Sequence, residues 1–483
     1  MEKAPMAKQT DVIELQKNFA LLIDGKLVET KNFLRVINPA TEQVFAHCPE
    51  ADQTHLNAAV SAARQALDAW SSKSYEERAN YIQQLAMLLR EHRDFLASLL
   101  TQEQGKPLSQ SVAEIDRGAS QSEGIAGIEI PIETLVDDEE RYIELQYRPL
   151  GIVGIITPWN APVNLALGPL VSALYTGNTV ILKPSPYTPL TTLKMGELMR
   201  EIFPAGVINF LAGGDELGHE MTKHPEINKI SFTGSVETGK KVMASAAGTL
   251  KRVTLELGGN DPAIILEDVD PEAVAKKIFF AAFVNSGQVC MAVKRIYAHE
   301  EIYEEFCSAL AKEAKNAKYG NGLDPENHLG PIQNKMQFNK VVGILEDTKK
   351  IGAHFLSGGT VPNTPGYFFP PTLVTDIDEN SRLVQEEQFG PIVPILKYKD
   401  VEDAIRRANN TLYGLSGSVW SSDRKRATKI AKRLRVGTAW VNQHRATSAY
   451  VPFGGAKESG IGRQYSILGL KGYMEPEVLS VVK

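Results

Sequence analysis

Residues 149–185 read PLGIVGIITPWNAPVNLALGPLVSALYTGNTVILKPS, and from Pro149 to Leu182 there is no charged side chain. Hydropathy alone suggests a membrane hairpin. Pro158, Pro162 and Pro169, together with Asn160 and Asn164, interrupt the run at short intervals. The stretch divides better into a strand (GIVGII), a loop (TPWNAP), a helix (VNLALGPLVSALYTG) and a second strand (TVILK). Parallel strands covered on both faces are continuously apolar in this way. A buried strand–helix–strand unit is therefore expected, its helix distorted at Pro169.

The same rhythm continues outward. VINFL, KISFTG and RVTLEL follow as strands, each preceded by a helical stretch, and imply a doubly wound parallel sheet. After Gly258 a second alternating series begins with PAIIL, a helix VAKKIFFAAFVNSG, RIYAH, a helix EEIYEEFCSALAKEAKNA and later PILKY. Upstream, VSAARQALDAW and EERANYIQQLAMLLREHRDFLASLLTQEQGK carry apolar residues at helical spacing, the second stopped by Gly105 and Pro107. RYIELQY alternates as a strand, and the C-terminal PEVLSVVK is expected to pair with it in a small separate sheet.

The chain has 483 residues, so two or three domains are expected. With 43% apolar and 23% charged residues it has an ordinary globular composition. A net charge of −6 lacks the basic footprint of a general nucleic-acid binder. Cys48, Cys290 and Cys307 form no C-x-x-C pair and show no metal-ligand spacing, which favours free thiols, a reducing compartment and no metal site. The first thirty residues lack an apolar leader core. Cytoplasmic location is the resulting expectation.

Several residues could carry chemistry. Gly234 to Lys241, GSVETGKK, has phosphate-loop spacing but ends in Lys241 where Mg²⁺ binding needs Ser or Thr. It still offers a helix N-terminus to an anion, with Ser235 as N-cap or direct ligand. No G-x-G-x-x-G fingerprint is present. Cys290 follows an apolar helix broken at Ser286 and Gly287, and reads equally as a nucleophile or a buried thiol. Cys307, on a helix face, and Cys48, in a strand-like stretch, read as packing. Glu256 and Asn160 both end apolar strands, where open α/β sheets build sites. Each could equally be a local cap or a solvated polar group.

Seven short motifs occur in order: PWN at 158–160, LKPS at 182–185, FTGS at 232–235, LELGG at 255–259, GQVC at 287–290, EEQFGP at 386–391 and PFGG at 452–455. Together they resemble the aldehyde dehydrogenase superfamily across most of the chain, and the 34-residue spacing of Glu256 and Cys290 resembles that family too. The resemblance implies Cys290 as nucleophile, Asn160 with the Cys290 N–H as oxyanion hole, and Glu256 as the base that hydrolyses a thioester. It implies NAD as cofactor, with NADP open. Lys183 would meet the adenosine ribose, Trp159 and Ser235 the pyrophosphate, Glu387 the nicotinamide ribose and Phe389 its ring. It also implies an α/β fold of two doubly wound domains plus an oligomerisation sheet. The spans are 1–124 and 148–258 (coenzyme), 259–469 (catalytic), and 125–147 with 470–483 (oligomerisation). A homodimer or homotetramer follows, acting on a small-molecule aldehyde, without nucleic acid or membrane partners.

Departures from the family pattern shape the substrate reading. Pro186 stands where NAD-preferring members commonly carry a Glu, so nothing there repels a 2′-phosphate. Gly168-Pro169 replaces a common Trp-Lys pair, which should widen the aldehyde tunnel and leaves Glu475, similar to a proton-path glutamate, without its partner. Ala161 in PWNAPV and the Cys290-Met291 pair resemble the branch acting on benzaldehyde-like substrates. An aromatic or bulky apolar aldehyde is the first expectation. Arg445, ahead of PFGG, is the argument for an acidic semialdehyde instead. A relative that passes its acyl group to coenzyme A would lack Glu256. A non-catalytic binding or structural protein on the same scaffold would be expected to lose Cys290 or Glu256.

Overall fold

The computed structural model describes residues 18–483. The leader reading and the start of the first coenzyme span fall partly on residues 1–17, outside the described residues. The unit predicted from residues 149–185 forms as strand Ile152–Ile156, helix Pro162–Tyr175 and strand Thr179–Lys183, the two strands parallel and fully buried. The helix runs through Pro169 without interruption. Almost every side chain of that helix is buried, and this packing holds the helix despite the missing proline N–H.

These strands are central in an eight-stranded sheet, flanked by Lys229–Thr233 and Arg252–Glu256 on one side and Ile208–Phe210 on the other. These five strands are parallel. The strands from the alternating segment thus form the expected parallel sheet, and antiparallel strands from other parts of the chain add at its edges. Leu21–Ile23 runs antiparallel to Ile208–Phe210, and Gly460–Ile461 antiparallel to Arg252–Glu256. An edge strand needs no crossover helix, so segments from either end of the chain can add there in either direction.

The second sheet has seven strands, ordered His354–Ser357, Thr372–Thr375, Ile392–Tyr398, Val293–His299, Asp261–Ile265, Ser416–Trp420 and Thr438–Val441. All pair parallel except the edge strand His354–Ser357. Met474–Val482 pairs antiparallel with Arg141–Pro149 as expected, and Glu133–Asp137, which had no clear strand pattern, adds a third strand. The long upstream helix of the prediction is two helices, Tyr75–Glu91 and Arg93–Gln104, separated at the non-helical His92. Gly105, at φ 95°, ends the second in the left-handed region that favours glycine. Among the described residues no helix is long and apolar enough to cross a membrane.

Candidate active site

The parallel strands of the first sheet end, at Ile156, Lys183, Thr233 and Glu256, around one cleft, as the topology of open α/β sheets requires. A cavity of about 620 Å³ fills it, running from Lys183 and Ser235 past Trp159, Glu387 and Phe389 to Asn160 and Cys290. The strands of one sheet and the turn entering Val293–His299 of the other thus meet at Cys290.

That turn is unusual. Asn285, Ser286 and Gly287 all have positive φ, 52°, 53° and 73°, directly after helix Pro271–Phe283. Two non-glycine residues in the left-handed region cost about 1–2 kcal/mol each. Hydrogen bonds from distant segments hold them there. Asn285 N–H donates to Gln110 Oε1 at 3.0 Å, Asn285 Nδ2 to the Asn160 carbonyl at 2.9 Å, and Ser286 Oγ to the Gly330 carbonyl at 2.7 Å. At Gly287 a Cβ would lie 2.5 Å from the Gly390 carbonyl, so only glycine fits. The result is the inter-element turn that the broken periodicity suggested, with Cys290 on the cavity wall.

Asn160 is buried, and its Nδ2 donates to the Gln288 carbonyl at 2.9 Å. Its second Nδ2 hydrogen has no acceptor among the described residues, and neither has the Cys290 N–H. The Asn160 carbonyl is gripped by Lys106 Nζ at 3.0 Å, and Lys106 is paired with Glu114 at 2.5 Å. Glu114 in turn accepts the Val163 and Asn164 N–H groups at 3.0 and 3.2 Å, capping helix Pro162–Tyr175. Lys106 and Glu114 were not anticipated from the sequence, because their partners lie about fifty residues away.

Burial pushes the Cys290 thiol up to about 12, with Lys294 lowering it and Glu387, Glu256 and Asp261 raising it. Glu256 is buried at its strand end, its carboxyl well above the usual range through desolvation, opposed by the Arg463 charge. Its Oε1 has no hydrogen-bond partner among the described residues, and it does not line the large cavity. It is brought near enough to Cys290 for its charge to act on the thiol.

Along the cavity, Lys183 is buried and lowered to about 8 by desolvation, with Asp215 opposing. Ser235 serves as N-cap of helix Val236–Ala247, accepting the Thr238 N–H at 3.2 Å. Glu387 accepts the Gly259 N–H at 3.0 Å. Trp159 meets Phe389 edge to face at 5.3 Å. Cys48 and Cys307 are buried in apolar cores, the packing role expected for them.

One expectation about the departures is corrected. The volume vacated at Gly168 is not an open tunnel, because the Tyr465 hydroxyl lies 3.2 Å from where a Cβ would stand. Glu475 lies on strand Met474–Val482 of the small sheet, exposed and 3.5 Å from Arg252. Arg445 has a buried Nε without a partner among the described residues, and its guanidinium lies 5.7 Å from the Phe280 ring.

A thiol presented by a constrained turn to a cleft at the carboxyl ends of a parallel sheet defines an α/β enzyme with covalent chemistry in reach. The chain matches the aldehyde dehydrogenase family over residues 27–479, and it belongs to that family. It is 38% identical to a betaine aldehyde dehydrogenase of Bacillus subtilis (strain 168) over 94% of this chain and 96% of that one. Among solved structures, an NAD+ complex of an aldehyde dehydrogenase from Bacillus cereus superposes with a TM-score of 0.96 at 37% identity, covering 99% of each chain. Betaine aldehyde dehydrogenase from Staphylococcus aureus, in complex with NAD+, gives 0.94 at 36% identity over 98% of this chain and 97% of that one.

Proposed function

We propose that the protein oxidises an aldehyde to the carboxylic acid with NAD, through a covalent acyl group on Cys290. The observation that carries this reading is the pair of free donor hydrogens on one cavity wall with the thiol, the second Asn160 Nδ2 hydrogen and the Cys290 N–H, neither with an acceptor among the described residues. The Cys290 thiol gives its proton up to solvent as its sulfur adds to the aldehyde carbon, and the new oxyanion takes both donors. When bound, NAD accepts the hydride that leaves this carbon, which becomes a thioester. Water then attacks the thioester, its proton goes to Glu256, and the Cys290 thiol is regenerated with the acid released. A carboxyl whose proton affinity is raised by burial is suited to that last step.

The cavity residues suit a dinucleotide. Lys183 would hold the adenosine ribose, Trp159 and Ser235 the pyrophosphate at the helix N-terminus, Glu387 the nicotinamide ribose, and Phe389 the ring face. Residues 1–124 and 148–258 would form the coenzyme domain and 259–469 the catalytic domain. The small sheet from 125–147 and 470–483 would join subunits as a homodimer or homotetramer. Exposed Ile132, Leu135, Val478 and Val482 on and beside that sheet support the last point.

For the substrate, Tyr465 over Gly168 removes the volume argument for a bulky aromatic aldehyde. The unpartnered Arg445 Nε favours an acidic semialdehyde as a second reading. Reduced-cofactor formation with NAD and NADP against benzaldehyde, hexanal and succinic semialdehyde tests both levels. Turnover with NAD is expected, fastest with the semialdehyde if Arg445 binds its carboxylate. Benzaldehyde preference sinks the acidic reading, and no turnover with any of them opposes the oxidation itself.

A further inference from the structure

Four charged groups act on the Cys290 thiol: Lys294, Glu387, Glu256 and Asp261. Arg445 and Tyr465 are also within electrostatic reach of Cys290. Lys294 is the one with direct hydrogen bonds to the nucleophile's own backbone. It is 2% exposed, is the second residue of strand Val293–His299, and does not line the cavity. Its Nζ donates to the Val289 carbonyl at 3.0 Å and to the Cys290 carbonyl at 2.5 Å. Its remaining neighbour is Glu387, whose Oε1 is 3.4 Å away.

These contacts fix more than two oxygens. A trans peptide is planar, so its N–H points opposite to its C=O. Holding the Val289 carbonyl on Lys294 turns the Cys290 N–H the other way, and holding the Cys290 carbonyl does the same for the Met291 N–H. The Cys290 carbonyl is also closely packed against Gly259, where a Cβ would lie 2.7 Å from it. His444 completes the clamp, its Nε2 3.0 Å from the Met291 carbonyl. A buried lysine is expensive, and a carbonyl pair could be satisfied by neutral donors. The ammonium adds a fixed positive charge beside the sulfur.

We propose that Lys294 is the positioning residue of the nucleophile: it aims the Cys290 N–H at the oxyanion position and supplies the counter-charge for the thiolate. The proposal rests on the reading of Cys290 as nucleophile. Glu387 is the opposing partner, partly neutralising that charge while it stays within ion-pair distance.

The test is the pH profile of Cys290 alkylation by iodoacetamide in the resting full-length protein, with Cys290→Ala as blank and Cys48 and Cys307 protected by burial. This readout needs no aldehyde turnover, so its failure is separable from failure of the proposed reaction. In Lys294→Met the profile should move to higher pH by about one unit, a roughly tenfold slower alkylation at fixed pH. Lys294→Arg should restore most of it, and Glu387→Gln, which removes a negative charge, should move it to lower pH. In turnover, Lys294→Met should lower kcat by more than it raises KM for the aldehyde. A wild-type alkylation profile in folded Lys294→Met overturns the proposal, and so does an unshifted or upward profile in Glu387→Gln.

Discussion

Asn160 owes its position to a residue that no local pattern announces. Lys106 is almost wholly buried, and it spends its charge on Glu114 and on the Asn160 carbonyl. Removing one member of such a pair leaves the other charge buried alone, at a cost of about 3–5 kcal/mol. Lys106→Met is therefore expected to destabilise the fold by about that amount, and a second change, Glu114→Gln, should recover part of it. Denaturant unfolding of the two variants measures this, and a loss below about 1 kcal/mol in the single variant would contradict the described network. At this scale the sequence was partly legible. Cys290, Glu256 and Asn160 stand at element ends, where chemistry is looked for. Lys294, Glu114 and Tyr465 were not legible in this way, because each acts through partners distant in the chain or through backbone oxygens that leave no mark on residue type.

The elements were read best where burial is complete. Ile152–Ile156 and Thr179–Lys183 are buried without a break, the first wholly apolar and the second apolar between Thr179 and Lys183, because helices cover both faces of their sheet. The strand Glu133–Asp137 is almost wholly exposed and has no such signature, and Gly460–Ile461 is too short for any period. Pairing of Met474–Val482 with Arg141–Pro149 was legible from alternation, although not from proximity in the chain. Beside and along that sheet, Ile132, Leu135, Val478, Leu479, Val481 and Val482 are exposed, an unusual concentration for a free surface. Sedimentation of the full chain should therefore give a dimer or tetramer, and removal of residues 474–483 should yield smaller species. A monomeric full chain contradicts the oligomerisation role.

In the whole molecule, two sheets of different origin in the chain converge on one sulfur. The first supplies Asn160, Glu256 and the wall of the long cavity, and the second supplies Cys290 on its strained turn. The division of labour accounts for why the seven motifs are spread from residue 158 to residue 455 rather than clustered. The central claim is that oxidation proceeds through an acyl group on Cys290 that Glu256 helps to hydrolyse. Glu256→Gln, mixed with NAD and an accepted aldehyde, should give about one equivalent of reduced cofactor per site, then slow turnover, with the acyl mass on the Cys290 peptide. Normal steady turnover without a burst, or an acyl mass on a peptide lacking Cys290, would contradict it.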